Sequence, residues 1–295
     1  MAYQFTVQEM KKIRVIIDTD AACEADDQYA IVHALLTPRF YVEGIIAEQF
    51  NSDGGDKSVD KSFDEIQKIL GLMKIDNIPV LHGSYETLSN QQDTPVSEGA
   101  DFIIKEALKE SDKPLYVLCQ GAITNVAIAL NKAPEIAGKF ICIWIGGGFY
   151  PDGGWEFNLL NDYHAANVVF QSDLELWQVP MDCYTQMLIG YAELQRKVMP
   201  YGEIGEYLFR QMIELGMKKD WVAGEAWCLG DSPVVGLALN PGCGWSEKKK
   251  APIVNEKGEY IGETNHEIRV YYRIDSRYIL EDFFAKLALT YGEEK

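Results

Sequence analysis

The sequence predicts an α/β fold in which a mainly parallel central sheet carries helices on both faces, an open doubly wound arrangement. Two observations predict it. Short, continuously apolar runs alternate along the chain with longer segments of helical period. Continuous apolarity is typical of parallel strands covered on both faces, and strand–helix alternation at this spacing is typical of βαβ units.

The alternation is clearest in residues 1–180. Apolar runs predict six strands, at residues 14–17, 42–47, 78–81, 115–119, 140–145 and 174–179. Segments of helical period predict five helices, at residues 26–36, 58–72, 97–110, 125–131 and 162–171. This order of elements predicts helices that connect neighbouring parallel strands.

The later part of the chain is less regular. Residues 201–216 are predicted to be helical, and residues 277–291 are predicted to form a closing amphipathic helix. Between them, residues 251–275 hold two β-like runs around Asn255-Glu-Lys-Gly258, a plausible hairpin turn. Because the chain shows no internal repeat, no low-complexity tract and no linker, residues 1–295 are predicted to form one domain.

The net charge of −18 argues against several kinds of partner. A polyanion such as DNA or RNA would be repelled on average, and the one conspicuous basic run, at residues 248–250, is interpreted as a solvated loop. No apolar stretch approaches bilayer length, and the amino-terminal residues show no export signal. We therefore expect a soluble, cytoplasmic protein that binds neither nucleic acid nor membrane.

The six cysteines form no C-x-x-C pair, so neither a disulfide framework nor a zinc cluster is favoured. Cys119 and Cys142 lie within apolar runs and are predicted to be small core residues.

An acidic cluster between residues 18 and 27 is the densest chemical signal. It packs four aspartates and one glutamate into ten residues, directly after the first strand and at the start of a helix. A hard cation would relieve the repulsion, and oxygen-only ligands favour calcium or magnesium over zinc. The simpler alternative is that Asp26 and Asp27 only cap the helix. Capping leaves Asp18 and Asp20 unexplained, so a metal site is the favoured interpretation.

The acidic cluster resembles the Asp-x-Asp…Asp-Asp signature of the inosine-uridine-type nucleoside hydrolases. Four later segments resemble segments of that family in the same order along the chain. They are Gln120-Gly-Ala-Ile-Thr-Asn125, Ile145-Gly-Gly-Gly148, the stretch from Trp155-Glu-Phe-Asn158 to Ala165-Ala166, and Gly230-Asp-Ser-Pro233. The resemblance runs from about residue 13 to residue 233 and implies an N-glycosidase that splits ribonucleosides into base and ribose, as purine and pyrimidine salvage requires.

The resemblance also implies roles for particular residues. Calcium would be held by Asp20, Asp27, Asp231 and the main-chain carbonyl of Gln120. Asp26 would be the general base that takes a proton from a calcium-bound water.

Three further residues would contact the ribose, namely Asn51, Glu156 and Asn158. Asp18 would lie behind the metal ligands. The family's members are usually dimers or tetramers, which implies a homo-oligomer.

Two departures from the family pattern concern the chemistry. The segment from Ala21 to Ala25 places two extra residues in the acidic loop, although Asp26 and Asp27 should still fall at the helix start. Gly230 stands where many members carry a histidine that is thought to protonate the leaving base. This predicts slow cleavage of ordinary nucleosides and faster cleavage of substrates with good leaving groups.

Other side chains are candidates for a replacement acid or for base stacking. Glu24 in the longer loop and His82 after the third strand are the alternative donors. His33 and His164 are expected to pack within helices or at the surface. Trp221 and Trp227 could stack on a base, but core packing is the preferred interpretation.

Two other functions stay open from the sequence. The chain could be a riboside-binding protein that has lost turnover. It could also be an aspartate-nucleophile phosphatase, although Ala22 stands where that motif expects Thr or Val and the Asp26–Asp27 pair is then unexplained.

Overall fold

The structure is a computed structural model that describes residues 3–222 and 224–292. Its strands are β1 (Ile13–Thr19), β2 (Phe40–Ala47), β3 (Val80–His82), β4 (Leu115–Cys119), β5 (Phe140–Ile145), β6 (Glu175–Val179), β7 (Leu188–Gly190), β8 (Ala226–Cys228), β9 (Gly244–Val254) and β10 (Tyr260–Ile274). Its α-helices are α1 (Asp27–Leu35), α2 (Asn51–Gly54), α3 (Ser58–Met73), α4 (Glu98–Leu108), α5 (Thr124–Lys132), α6 (Phe157–Asn161), α7 (Tyr163–Gln171), α8 (Met181–Tyr184), α9 (Tyr191–Lys197), α10 (Gly202–Gly216), α11 (Ser232–Leu239) and α12 (Ser276–Tyr291).

An eight-stranded sheet with the order β3-β2-β1-β4-β5-β6-β10-β9 forms the centre. Its neighbouring strands are parallel except for β9 and β10, which pair antiparallel at one edge. A second, two-stranded sheet joins β7 to β8. The predicted fold class, a mainly parallel sheet within an α/β architecture, is confirmed.

The two faces of the sheet pack against different helices. Val15 and Ile17 belong to a core that contains buried residues of α1, α3, α11 and α12. Ile16 points the other way and packs with α4, α5 and α7. Successive side chains of a strand alternate between faces, so a strand covered on both faces must be apolar throughout. This is the physical reason for the continuous apolar runs in the sequence.

The strand order reverses direction at β1. From β1 the chain proceeds through α1 to β2 on one side, whereas β4 lies on the other side. Ligands of open α/β sheets bind at such a switch point, outside the carboxyl ends of the strands. The topology therefore places Asp18, Asp20 and Gln120 at the edge of the sheet where a ligand is expected.

Several predicted boundaries differ from those in the structure. The third strand is Val80–His82 rather than residues 78–81. The two β-like runs around the turn at residues 255–258 extend to Gly244–Val254 and Tyr260–Ile274, and they complete the central sheet. The strands of this sheet come from residues 13–274. That residues 1–295 form one domain stays a prediction.

None of the helices in the described ranges is long and apolar enough to cross a membrane.

Candidate active site

A cavity of about 70 Å³ opens at the carboxyl ends of the central strands. Its lining combines the acidic loop after β1, the start of α6 and the residues before α11. Six carboxylates line it, from Asp20, Glu24, Asp26, Asp27, Glu156 and Asp231. Segments distant in sequence thus bring six carboxyl groups to one place.

Asp26, Asp27 and Asp231 form the tightest group in the cavity. One carboxylate oxygen from each lies within 4.8 Å of the others, and all three residues are buried. Asp26 and Asp27 stand at the amino end of α1, and Asp231 immediately precedes α11. Two helix amino termini therefore direct their positive dipole ends at these carboxylates. The predicted position of Asp26 and Asp27 at the helix start is confirmed despite the longer loop.

Asp20 and Gln120 approach the cavity from the strand ends, after β1 and β4. A Cβ atom at Gly121 would lie 2.7 Å from Oδ1 of Asp20, so only glycine allows this close approach. Asp20 does not belong to the 4.8 Å group formed by Asp26, Asp27 and Asp231. Three of the four predicted calcium ligands thus line the cavity with their carboxylates, and Gln120 lines it beside them.

Burial dominates the electrostatics of the cluster. Burial first, and the neighbouring Asp27 second, raise the pKa of Asp26 to about 7. Burial also raises the pKa of Asp27 to about 7 and the pKa values of Asp20 and Asp231 well above the ordinary range. Among the described residues, no Lys, Arg or His pairs with these four carboxylates. Buried carboxylates without a cationic partner must bind either protons or a metal ion.

A hydrogen-bonded layer supports the cluster from behind. Asn125 donates from Nδ2 to Asp18 Oδ1 over 3.0 Å and to Glu48 Oε2 over 2.8 Å. Its Oδ1 accepts from the main-chain amide of Ser84 and from the hydroxyl of Ser97. Burial raises the pKa of Asp18 to about 7. Asp18 does not line the cavity, and it contacts this layer as the resemblance implied.

Glu156 is completely surrounded by hydrogen-bond donors. Its carboxylate caps α6, accepting from the amides of Asn158 and Leu159, and it also accepts from the amide of Gly147 and the hydroxyl of Tyr184. Burial raises its pKa, and these hydrogen bonds oppose that rise. Because a carboxylate has about four acceptor positions, Glu156 has little capacity left for a sugar hydroxyl.

Asn158 lines the cavity in a fixed orientation. Its Nδ2 donates to the carbonyl of Gln120 over 3.2 Å and to the carbonyl of Ile145 over 3.0 Å. Both amide protons are therefore committed to the main chain. The oxygen Oδ1 is the atom left to accept a hydrogen bond from a ligand.

The structure does not place Asn51 in the lining of this cavity. Its Nδ2 donates to the carbonyl of Tyr85 over 2.9 Å, and its Oδ1 accepts from the hydroxyl of Ser58 over 2.6 Å. These bonds fix the start of α2. Sugar binding by Asn51 stays a prediction.

The two candidate proton donors differ in position. Glu24 lines the cavity, and burial, followed by the charge of Asp26, raises its pKa to about 8. His82 stacks on Phe63 with ring centroids 4.1 Å apart and lines a separate cavity with Tyr85.

Of the four residues predicted to lie in the core, three are buried and one is exposed. Cys119 and Cys142 are buried as predicted, with their sulfur atoms 3.6 Å apart. Trp227 is buried too, but Trp221 is 60% exposed, so its predicted place in the core is wrong. The ring of Trp221 covers Trp227 at a centroid distance of 5.3 Å from the solvent side. Aromatic content alone could not show which of the two lies outside.

Tyr184 is a cavity residue that the sequence analysis missed. It belongs to α8, directly after β6, and lines the cavity beside Gly230 and Glu156. One signal could have found it, because residues that follow a predicted parallel strand lie at the ligand-binding edge of the sheet. Phe157, at the start of α6, adds a second aromatic side chain to the lining.

Residues 15–281 match the family described as inosine-uridine preferring nucleoside hydrolase. Among curated proteins, the pyrimidine-specific ribonucleoside hydrolase RihA of Salmonella schwarzengrund (strain CVM19633) is 30% identical over 207 residues. RihA of Salmonella arizonae (strain ATCC BAA-731 / CDC346-86 / RSK2980) is similar to the same extent. These alignments cover 62% of this chain and 64% of each relative, so the match spans less than two thirds of the relatives' length.

Solved structures of nucleoside hydrolases share the fold. The plant enzyme PpNRh1 superposes with a TM-score of 0.75 at 18% identity, covering 93% of this chain and 98% of that one. The purine-preferring ribonucleoside hydrolase from Gardnerella vaginalis gives a TM-score of 0.74 at 20% identity with the same coverage.

Proposed function

The chain belongs to the inosine-uridine preferring nucleoside hydrolase family, and from this membership we propose that it hydrolyses the N-glycosidic bond of ribonucleosides in a calcium-dependent reaction. The observation that carries the proposal is the convergence of Asp26, Asp27 and Asp231 within 4.8 Å in a buried cavity. An aspartate-nucleophile phosphatase is set aside, because the family match accounts for the Asp26–Asp27 pair that the phosphatase motif left unexplained.

The donor set fits a hard cation. Carboxylate oxygens from Asp20, Asp27 and Asp231, together with the carbonyl oxygen of Gln120, would hold calcium, since oxygen-only sites of this kind suit Ca²⁺. A bound calcium ion would supply positive charge that neutralises the carboxylates and polarises oxygen atoms in the site. Magnesium shares the oxygen preference but needs near-ideal octahedral geometry, whereas calcium accepts a more flexible arrangement of ligands.

Asp26 is the proposed general base. Asp26 is buried at the amino end of α1, and its carboxylate lies close to those of Asp27 and Asp231, so it can accept a proton from a water held at the cluster. Asp26 takes one proton from the attacking water. The water oxygen bonds to the anomeric carbon as the C–N bond breaks, and the base leaves with the electron pair of that bond. The departing base takes a proton from solvent, and Asp26 returns its own proton to solvent. Carboxylates around the ring stabilise the positive charge that develops on the sugar.

The sugar is positioned by polar atoms at the acidic end of the cavity. Oδ1 of Asn158 accepts from a ribose hydroxyl, because both of its amide protons are already donated to the main chain. Glu156 keeps the start of α6 and Asn158 in place through its four hydrogen bonds. Direct contacts of Glu156 and Asn51 with ribose remain part of the proposal and depend on rearrangement of their present bonds.

The nucleobase is left open in the proposal. The similar proteins differ in base preference, since RihA is called pyrimidine-specific and the Gardnerella vaginalis protein purine-preferring. We therefore propose activity on ribonucleosides as a class.

The direct experiment incubates the purified protein with inosine, adenosine, uridine and cytidine and separates the products by chromatography. Free base and free ribose in equal amounts, lost after chelation and restored by calcium, support the proposal. The second candidate function is riboside binding without turnover, and it is favoured only by the glycine at position 230. Binding of the same nucleosides with no product would support this alternative and reject the proposed hydrolysis.

Assembly and location belong to the proposal as well. The family implies a homo-oligomer, either a dimer or a tetramer. The molar mass measured by light scattering should then be about two or four times the chain mass of 33.3 kDa. The cytoplasmic location rests on the sequence alone and is checked by fractionation.

A further inference from the structure

The ring of Tyr184 lies directly against Gly230. A Cβ atom built at Gly230 would lie 3.1 Å from Cδ2 of Tyr184, 3.4 Å from Oδ2 of Asp26 and 3.7 Å from Sγ of Cys228. A single methyl group would be tight here, and a larger side chain would need the space that the tyrosine ring occupies. The residue at position 230 and the side chain at position 184 therefore compete for one volume beside Asp26.

Tyr184 is held at both its main chain and its hydroxyl. The main-chain carbonyl accepts from Sγ of Cys228 over 3.4 Å, and the amide donates to the carbonyl of Pro180 over 3.0 Å. The hydroxyl donates to Oε1 of Glu156 over 3.0 Å. Glu156 is itself fixed by three main-chain amides. The ring is thus a rigid part of the cavity wall.

The side chains that line the cavity are of two kinds, polar and aromatic. Carboxylates and the Asn158 amide suit sugar hydroxyls, whereas Phe157 and Tyr184 are the two aromatic side chains in the lining. A nucleobase is planar and apolar on its faces, so aromatic side chains are the surfaces it would pack against. Resting on the proposed function, we propose that Tyr184 is a specificity-determining residue that forms the wall for the leaving group and fills the space left at Gly230.

Tyr184 acts through its ring and not as an acid. Its hydroxyl proton is committed to the Glu156 carboxylate. Burial first, and the charge of Glu156 next, raise the pKa of Tyr184 well above its usual range. Loss of the proton would create a phenolate beside a buried carboxylate, which is unfavourable. The aromatic wall therefore shapes the site without supplying the proton that Gly230 cannot donate.

The first test compares Tyr184→Phe with Tyr184→Ala on p-nitrophenyl riboside, inosine and uridine. Tyr184→Phe keeps the ring and should keep the ratios of kcat/KM between substrates. Tyr184→Ala removes the wall and should change these ratios by at least about 10-fold, mainly through KM, as loss of an apolar pocket contact does. Tyr41→Ala, on the amino end of β2, is the matched control and should leave the ratios unchanged.

A second test asks whether the Tyr184 ring and a side chain at position 230 compete for the same space. Gly230→His should lower Tm in the wild-type background and should lower it much less in Tyr184→Ala, because the ring no longer occupies the space. Equal losses of Tm in both backgrounds would overturn the steric relationship.

Equilibrium binding separates this inference from the proposed function. Calorimetry with free adenine, free uracil and free ribose requires no turnover. Tyr184→Ala should weaken binding of the bases by about 10-fold and leave ribose unaffected. If the wild type hydrolyses no nucleoside but this pattern holds, the proposed function fails, and Tyr184 is a wall for a bound base and not for a leaving group. If hydrolysis occurs but Tyr184→Ala changes neither the substrate ratios nor base binding, the inference fails alone.

Discussion

The hydroxyl of Thr19 donates a hydrogen bond to Oδ1 of Asp27 over 2.5 Å, joining the last residue of β1 to the first residue of α1. This bond fixes the orientation of a proposed metal-binding carboxylate. Groups that orient metal ligands typically contribute 10–100-fold to metal affinity. Thr19→Val keeps the shape of the side chain and removes the donor, so calcium should bind about 10–100-fold more weakly.

Isothermal titration of chelator-treated protein with calcium measures this effect. Thr290→Val is the matched control, because Thr290 is exposed on α12 and its hydroxyl donates to the main-chain carbonyl of Lys286. Unchanged calcium affinity in Thr19→Val would remove Asp27 from the proposed ligand set.

Removal of the proposed ligand Asp27 should weaken calcium binding more than removal of the Thr19 hydroxyl that orients it. Asp27→Ala deletes one carboxylate of the three that converge within 4.8 Å. Elemental analysis of protein purified without chelator should show about one calcium per chain in the wild type, as one such site holds, and almost none in Asp27→Ala. An equal calcium content in both proteins would place the ion elsewhere.

Metal removal should also make stability depend on pH. Burial raises the pKa values of Asp26 and Asp27 to about 7 in the folded chain, whereas in the unfolded chain they titrate near 3.8. Between these values the folded chain holds more protons than the unfolded one. The contribution of these two carboxyl groups to the free energy of unfolding is therefore fully present below about pH 4, and it is lost as the pH rises through about 7.

Chelated protein should accordingly have a lower Tm at pH 8 than at pH 5.5, as measured by calorimetry. Saturating calcium should reduce the difference, because a cation stabilises the ionised carboxylates. In chelated Asp26→Asn/Asp27→Asn the fall in Tm should be smaller than in the wild type. A chelated wild type that is more stable at pH 8 would contradict the electrostatic account.

The choice of substrate follows from Gly230. A glycine cannot donate a side-chain proton, and the hydroxyl of Tyr184 is committed to Glu156. A general acid is worth about 10²–10⁴-fold, so p-nitrophenyl riboside, whose leaving group needs no proton, should exceed inosine and uridine in kcat/KM by a comparable factor.

Steady-state kinetics on the three substrates decides this point. Similar kcat/KM values would mean that another side chain supplies the proton. Glu24 lines the acidic cavity and His82 lines a separate one, so Glu24→Gln and His82→Ala would identify the donor.

The sheet and its ligand edge were predictable from the sequence because both depend on local patterns. The continuous apolar run before Asp18 indicated a strand covered on both faces, and the acidic residues after it indicated a site at the strand's carboxyl end. Short elements such as α8 were not predictable, since four residues are too few to show a period. Tyr184 lies in that helix, so its position after a predicted parallel strand was the one indication of its place in the cavity.

Hydrogen bonding at the site was not predictable either. Glu156 was expected to contact ribose, and the sequence could not show that four donors from three separate segments bond to its carboxylate. Asn51 was assigned to the ribose by its position relative to the family pattern, and the sequence did not show that its side chain bonds to Tyr85 and Ser58. Spacing fixes where a residue lies along the chain, whereas its partners depend on tertiary packing.

The central claim is that Asp26 activates water for cleavage of an N-glycosidic bond while neighbouring residues hold calcium. Its most direct test measures ribose released from inosine and uridine by the wild type, by Asp26→Asn and by the control Asp112→Asn, an exposed residue before β4. Calcium content is determined on the same samples. Asp26→Asn should lower kcat by about 10²–10⁴-fold with calcium retained, and Asp112→Asn should match the wild type. Release of ribose by Asp26→Asn at the wild-type rate would contradict the central claim.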